Sequence, residues 1–283
     1  MHRQILAEAS TIFHAALATL PEKVTNEPPP IQELAEDGEI ITLLLRYIYP
    51  MANPLITSLA TLRPTLQAAQ KYEISSAIEA LKSTLVSQKL LEGDPLGVYS
   101  IACELGLLDE APVASRATLA LSILDVPLET PSLQRITGYD FLRLVRLHKN
   151  RAASAVAILH SMSPMPHGCC SPPSNQADYL LGDLELESQI PIMSKRGRSY
   201  RHGQNDDAHG TYVRWWATWR EAAIKELEAR PTTAVIFESS YLMVHVKRAT
   251  RHCIDCPPTF MSSATQGWIK MLKERIDALP DTI

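Results

Sequence analysis

The sequence predicts a mainly α-helical protein, and three observations carry that reading. Apolar residues return every three or four positions in one stretch after another. The breaks between those stretches hold the Pro, Ser and Asp residues that start and stop helices. The breaks are also short, which implies antiparallel neighbours. The chain is read as a helical unit over residues 1–88, a helical extension over 89–163 and a small α-rich carboxy-terminal region over 164–283, the last set off by the proline-, glycine- and cysteine-containing stretch at 164–174.

Ile5, Leu6, Ala9, Ile12, Phe13, Ala16, Leu17 and Leu20 fall on one stripe of a first helix, which Pro21 ends. Residues 22–30 are turn-like. Pro28, Pro29 and Pro30 impose an extended, donor-poor path into a loop or a short edge strand at 31–34. A second helix over 39–48 is apolar almost all round, which predicts burial. A third occupies 58–72, where Pro64 is tolerable only if the regular helix starts near Arg63. Ser75 or Ser76 is placed to cap a fourth over 77–87, because a serine hydroxyl accepts from the free amides of a first turn. Asp94 followed by Pro95 is the same kind of signal for the next helix. Residues 69–85 and 102–119 each read as a small-residue helix, a short break and a second helix ending in Thr-Leu, so a duplicated α-hairpin is expected.

His2, Leu6, Ser10 and Phe13 on the first helix are followed by Leu44, Leu45, Tyr47, Ile48 and Tyr49 at the end of the second and then by Leu66 to Tyr72 in the third. This order resembles a BTB (POZ) domain over about residues 1–88. Residues 94–107, 114–119, 136–140 and 144–152 are similar to the helical continuation in a large group of fungal, basidiomycete-type BTB-domain proteins. The family's first strand pair falls before His2, so the resemblance implies a partial BTB helical unit without those strands and without the dimer surface they help build. It implies a protein-interaction module with no chemistry of its own, protein partners, self-association, and in some members a cullin-type scaffold that presents substrates for ubiquitin ligation. No residue in the sequence selects a cullin or a substrate.

With 283 residues, 46% of them hydrophobic, the chain can bury a full core. Its net charge of −4 sets up no global field toward nucleic acid or anionic lipid, so nucleic-acid binding would have to be local. The longest apolar runs, 40–48 and 152–159, fall far short of the roughly 20 residues of a membrane span, and the start does not read as a signal peptide. Five cysteines without such a signal fit a reducing compartment, cytoplasm or nucleus.

Residues 164–174 hold proline, glycine and paired cysteines, so the helical body is expected to end near Met162. His167 and Cys170 in that loop, with Cys253 and Cys256 far downstream, form a His-x-x-Cys and a Cys-x-x-Cys. Each spacing places two ligands on one tight turn, and two such pairs meeting in space would make a tetrahedral structural zinc site. Free thiols, or a disulfide or redox role, are the alternatives. The resemblance points toward zinc, since many of the fungal chains carry one cysteine pair after the helical body and another near the end; here His167 or Cys169 must replace a ligand of the first. Cys103 reads as an apolar thiol within a helix and His160 as helix surface.

Trp215, Trp216 and Trp219 read as the aromatic core of a small domain, with a partner-binding patch as the alternative. Lys195, Arg196, Arg198, Arg201 and His202 form a basic run that reads as a solvated loop, and Asp206, Asp207 and His209 as surface. Residues 235–237 suggest a strand, 241–249 a helix, and 265–279 an amphipathic helix whose Trp268, Ile269, Leu272, Ile276 and Leu279 should pack on the tryptophan helix. No nucleophile elbow, phosphate-binding loop, dinucleotide fingerprint or His-Glu-x-x-His occurs, and Glu104, Asp109 and Glu110 read as helix ends and surface. The expected function is protein–protein interaction as an adaptor or scaffold without catalysis. The competing reading is a zinc-containing, nucleic-acid-associated regulatory protein.

Overall fold

Ser10 splits the expected first helix in two. Its extended backbone (φ −149°, ψ 123°) ends α1 (Arg3–Ala9) and starts α2 (Thr11–Ala18). The cause is the hydroxyl, which accepts the Phe13 amide at 3.0 Å and so satisfies a free donor of the new first turn. The computed structural model that shows this describes residues 2–19, 33–161 and 213–283. Every regular element among the described residues is helical. By packing they form two units, the first comprising Met1–Ala152, Ala229–Pro231 and Pro280–Ile283, the second Ala153–Glu228 and Thr232–Leu279.

In the first unit, α3 (Gly38–Ile48) buries Leu44 and Tyr47 but leaves Glu39 and Thr42 exposed, so it is one-sided rather than buried all round. Glu33 and Leu34 are not in a strand, and Ile31 and Gln32 lie outside the described residues. The next helix, α4 (Leu59–Lys71), begins well before Arg63 and contains Pro64. Ser58 accepts the Ala60 amide at 3.2 Å, and the burial of Leu62, Leu66, Ala68 and Ala69 offsets the one helical hydrogen bond that a proline nitrogen cannot make. Neither serine caps α5 (Ser75–Leu85): the N-cap is Ile74, and Ser76 instead donates to the Tyr47 carbonyl at 3.4 Å.

After α6 (Gln88–Gly93), Asp94 caps α7 (Pro95–Glu104) by accepting the Gly97 amide at 2.8 Å. Glycine at 97 lets the cap close: a Cβ there would push aside the capping Asp94 carboxylate and the Leu59 side chain. Residues Pro95 to Ala102 are all buried, making α7 the centre of an aliphatic core with Leu66, Leu81, Leu85 and Leu144. Tyr99 is fully buried, and its hydroxyl donates to the Asp140 carbonyl at 3.0 Å.

The duplicated hairpin is real in its turns. The α4–α5 turn bonds Ile74 N–H to the Ala69 carbonyl (2.9 Å) and Glu73 N–H to Gln70 (3.1 Å), with Glu73 left-handed at φ 52°. Between α7 and α8 (Glu110–Thr118), Leu107 N–H bonds to Ala102 (2.8 Å) and Gly106 N–H to Cys103 (3.2 Å), with Gly106 at φ 67°. Both are helix-ending turns in which one left-handed residue lets two amides reach back to otherwise free carbonyls.

The short α9 (Pro131–Arg135) precedes α10 (Gly138–Ser161). Thr137 starts α10 reciprocally: it accepts the Asp140 amide at 3.1 Å and its hydroxyl donates to the Asp140 carboxylate at 2.6 Å. Two later passes of the chain complete this unit. Buried Arg151 donates to the carbonyls of Pro231 (2.9 Å) and Pro280 (3.1 Å), Arg116 pairs with Asp281 at 2.8 Å, and the Ile283 amide donates to Ser115 at 3.3 Å.

The second unit takes α10 from Ala153 onward, most of α11 (Arg214–Ala229), α12 (Thr233–Ile236), α13 (Ser239–Thr250), α14 (Cys256–Met261) and α15 (Ser263–Asp277). The expected strand at 235–237 is instead α12 and its C-cap. Thr232 caps this single helical turn, and the free Ile236 carbonyl accepts the Trp219 indole N–H at 2.8 Å, so no neighbouring strand is needed. Trp215, Trp216 and Trp219 are buried, which rules out the partner patch and makes them core. Trp216 meets Trp268 of α15 edge to face at 4.5 Å, the packing the sequence predicts.

Candidate interaction surface

The corner at Tyr72 and Glu73 gathers the amino-terminal elements into one face. Ser10, where α1 meets α2, donates to the Tyr72 carbonyl; Thr11 donates to Glu73; and Phe13 stacks on the Tyr72 ring at 4.8 Å. Glu36, from the stretch before α3, accepts from the Tyr72 hydroxyl and from Lys71 at 2.5 Å. Burial works to raise the Glu36 carboxyl, but the bonds from Lys71 and Tyr72 outweigh it and hold the group below the usual carboxylate range. His2 adds a backbone donor to the Tyr49 hydroxyl at 2.9 Å. Thus Ser10 and Phe13, singled out in the sequence, fasten α2 to the hairpin, and His2 and Tyr49 fasten α1 to the end of α3. The sequence reading missed Glu36 and placed Tyr72 only at the end of a helix, because the role of each depends on a polar contact between distant segments that no spacing reveals.

What this scaffold shows to solvent is apolar in places. Ile12 on α2 is partly exposed, and Met51 and Leu55, in the connection from α3 to α4, are 56% and 91% exposed. Pro54 and Ile56, on either side of Leu55, are both buried, so the connection is pinned around Leu55 and offers that side chain outward. Such residues supply the desolvating contact area that protein partners use.

Two ion pairs tie the hairpins: Arg63 of α4 to Glu104 of α7, and Lys82 of α5 to Glu110 of α8 at 3.3 Å. Glu110 is buried rather than surface, because it opens α8 facing Lys82. Asp109 precedes α8 without capping it through its side chain. Cys103 is half-buried in α7, and burial pushes its thiol up, away from thiolate chemistry.

Of the expected zinc ligands, His167 and Cys170 lie outside the described residues, as do Cys169, the basic run at 195–202, and Asp206, Asp207 and His209. Cys253 and Cys256 share one turn: Cys256 opens α14, its amide reaching back to the Cys253 carbonyl at 3.5 Å. Cys256 is fully buried within the aromatic core and Cys253 is half-buried. Among the described residues no group of three or more His, Cys, Asp or Glu could hold a metal ion. His160 is on the exposed side of α10. No helix among the described residues is long and apolar enough to cross a membrane.

A model of the BTB/POZ domain family matches residues 1–89, so the helices from α1 through the start of α6 and the Tyr72 corner they share lie in a BTB/POZ domain. Comparison with curated proteins gives no match, and comparison with solved structures gives none. BTB/POZ domains mediate protein interactions and self-association, and protein–protein interaction is the general role this domain supports.

Proposed function

We propose that the chain is a non-catalytic adaptor of the fungal BTB type, whose amino-terminal unit holds a protein partner. The observation that carries this reading is the BTB/POZ domain over residues 1–89, with Ile12, Met51 and Leu55 turned to solvent on a framework locked at Tyr72. Cytoplasm or nucleus, and a cullin-type scaffold as one partner class, belong to the same proposal.

The test compares the full chain with a Met51→Asp, Leu55→Asp variant by quantitative partner capture and by sedimentation. Both positions are exposed, so the fold should survive. Loss of bound partners or of self-association in the variant supports the reading. Partners and assembly state that persist unchanged sink it.

Structural zinc remains part of the proposal for the carboxy-terminal region. Two thiols on one turn supply half of a tetrahedral shell, and His167 with Cys170 would supply the rest. Near-stoichiometric zinc in the purified full chain, lost in Cys253→Ser, Cys256→Ser, is the expected result, whereas folded, metal-free protein ends it.

A further inference from the structure

The solvent face of α10 combines features the amino-terminal domain does not explain. Tyr139, Leu142, Arg143, Arg146 and Lys149 are all exposed, the first two at 72% and 63%. At about 100° per residue these positions fall within roughly a third of the helix circumference, along about 15 Å of axis. After Asp140 the helix carries no acidic residue. Asp140 itself is engaged by Thr137 and lies 3.7 Å from Arg143. The Arg143 guanidinium also sits over the Tyr139 ring at 5.7 Å. Arg146 and Lys149 have no ion-pair partner among the described residues. The opposite face is buried: Leu144 and Leu147 pack in the core, burial holds His148 neutral, and the Arg151 guanidinium is taken up by the Pro231 and Pro280 carbonyls.

We propose that this face docks an acidic, amphipathic segment of a protein partner, its carboxylates on Arg146 and Lys149 and its apolar side chains against Leu142 and Tyr139. It is a second surface, outside residues 1–89. Charge complementarity names the partner's sign, since Arg146 and Lys149 stand on this face of α10 with no carboxylate beside them on the helix. The exposed leucine and tyrosine decide protein over nucleic acid. Three cations would neutralise too few phosphates to hold a duplex at physiological salt, and Leu142 would have nothing to pack on in a phosphate backbone.

The experiment titrates the full chain, at low salt, with a fluorescent peptide that carries Glu and Leu at helical spacing, and separately with a short DNA duplex. The peptide is expected to bind, and binding should weaken about tenfold or more in Arg146→Glu, Lys149→Glu and several-fold in Leu142→Ala. Circular dichroism and tryptophan emission unchanged from the parent would confirm that the variants fold. Failure of the peptide to bind the parent chain overturns the proposal, as does binding indifferent to the charge reversal. Tighter binding of the duplex, unaffected by Leu142→Ala, overturns it in favour of a nucleic-acid surface.

Discussion

The two units are held together by different means. The first buries leucine, isoleucine, valine and alanine around α7, and turns, caps and the Tyr72 corner tie its segments together. The second gathers Trp215, Trp216, Trp219, Trp268, Phe237 and Phe260, whose rings meet one another at 4.5–6.3 Å. An aliphatic core spreads its stabilisation over many small contributions, whereas an aromatic one concentrates it in a few large side chains. All four tryptophans lie in the second unit, so their emission reports that unit alone.

The sharpest break of this contrast is Trp219→Ala. The residue is 1% exposed and its indole also holds the Ile236 carbonyl. Truncation should cost about 3–5 kcal/mol, enough to unfold the second unit first. Urea titration followed by tryptophan emission should then run ahead of the one followed by far-ultraviolet circular dichroism; coincident curves would show the units to be one cooperative block.

Acid should strike the first unit instead. His148 accepts no proton readily, because its Nε2 donates to Thr118, whose own hydroxyl proton goes to the Ser115 carbonyl at 2.6 Å, and its Nδ1 is buried without a partner. Burial lowers it from 6.5 to about 4. Between those values the unfolded chain binds more protons than the folded one, so stability falls as pH drops from 6.5 toward 4 and is flat above 6.5, a loss on the order of 3 kcal/mol. His245 in the second unit is lowered in the same direction by burial and by Arg248, but it is half-buried and weighs less. Denaturation midpoints at pH 7 and pH 4.5 check this, and His148→Gln should flatten the difference.

The contrast also explains what the sequence made legible. The start of the helix at Asp94 was readable from its cap signal and the helix over 265–279 from its apolar period, whereas residues 136–140 and 144–152 were placed by the resemblance alone. Ser10 and Pro64 misled because each is judged locally as neutral or forbidden, while the Tyr72 carbonyl and a buried leucine face decided the outcome from elsewhere in the chain. In the second unit 235–237 looked like a strand because β-branched residues dominate it, yet an indole on α11 supplies the partner that a strand neighbour would have given. The candidate interaction face divides the same way. His2, Ser10 and Phe13 were visible as a pattern, Glu36 and the exposed Leu55 were not.

A finer comparison sits inside the aromatic core. Trp219 has a partner for its N–H, whereas the Trp215 N–H is buried with none. Both Phe substitutions remove volume, but Trp219→Phe also strands the Ile236 carbonyl and Trp215→Phe removes an unsatisfied donor. Trp219→Phe should therefore be the more destabilising by about 1–2 kcal/mol, measured by thermal unfolding. Equal losses would mean that ring packing alone sets the stability of the second unit.

The smallest effect sharpens the aliphatic side, where two matched turns differ by one residue. Gly106 takes φ 67° freely, with nothing within 4 Å of where a Cβ would lie, so Gly106→Ala isolates the backbone term and should cost about 1 kcal/mol. Glu73 already bears that strain at φ 52° in an exposed position. Glu73→Gly relieves it, adds unfolded-state entropy and loses the exposed bond from Thr11, three terms that nearly balance. The expected result is a change within about 0.5 kcal/mol, against a clear loss at 106. A large loss at 73 would show instead that the carboxylate's hold on Thr11 fixes α2, and with it the exposed Ile12, to the hairpin. That outcome would move Glu73 from a tolerated turn residue to a structural support of the interaction face.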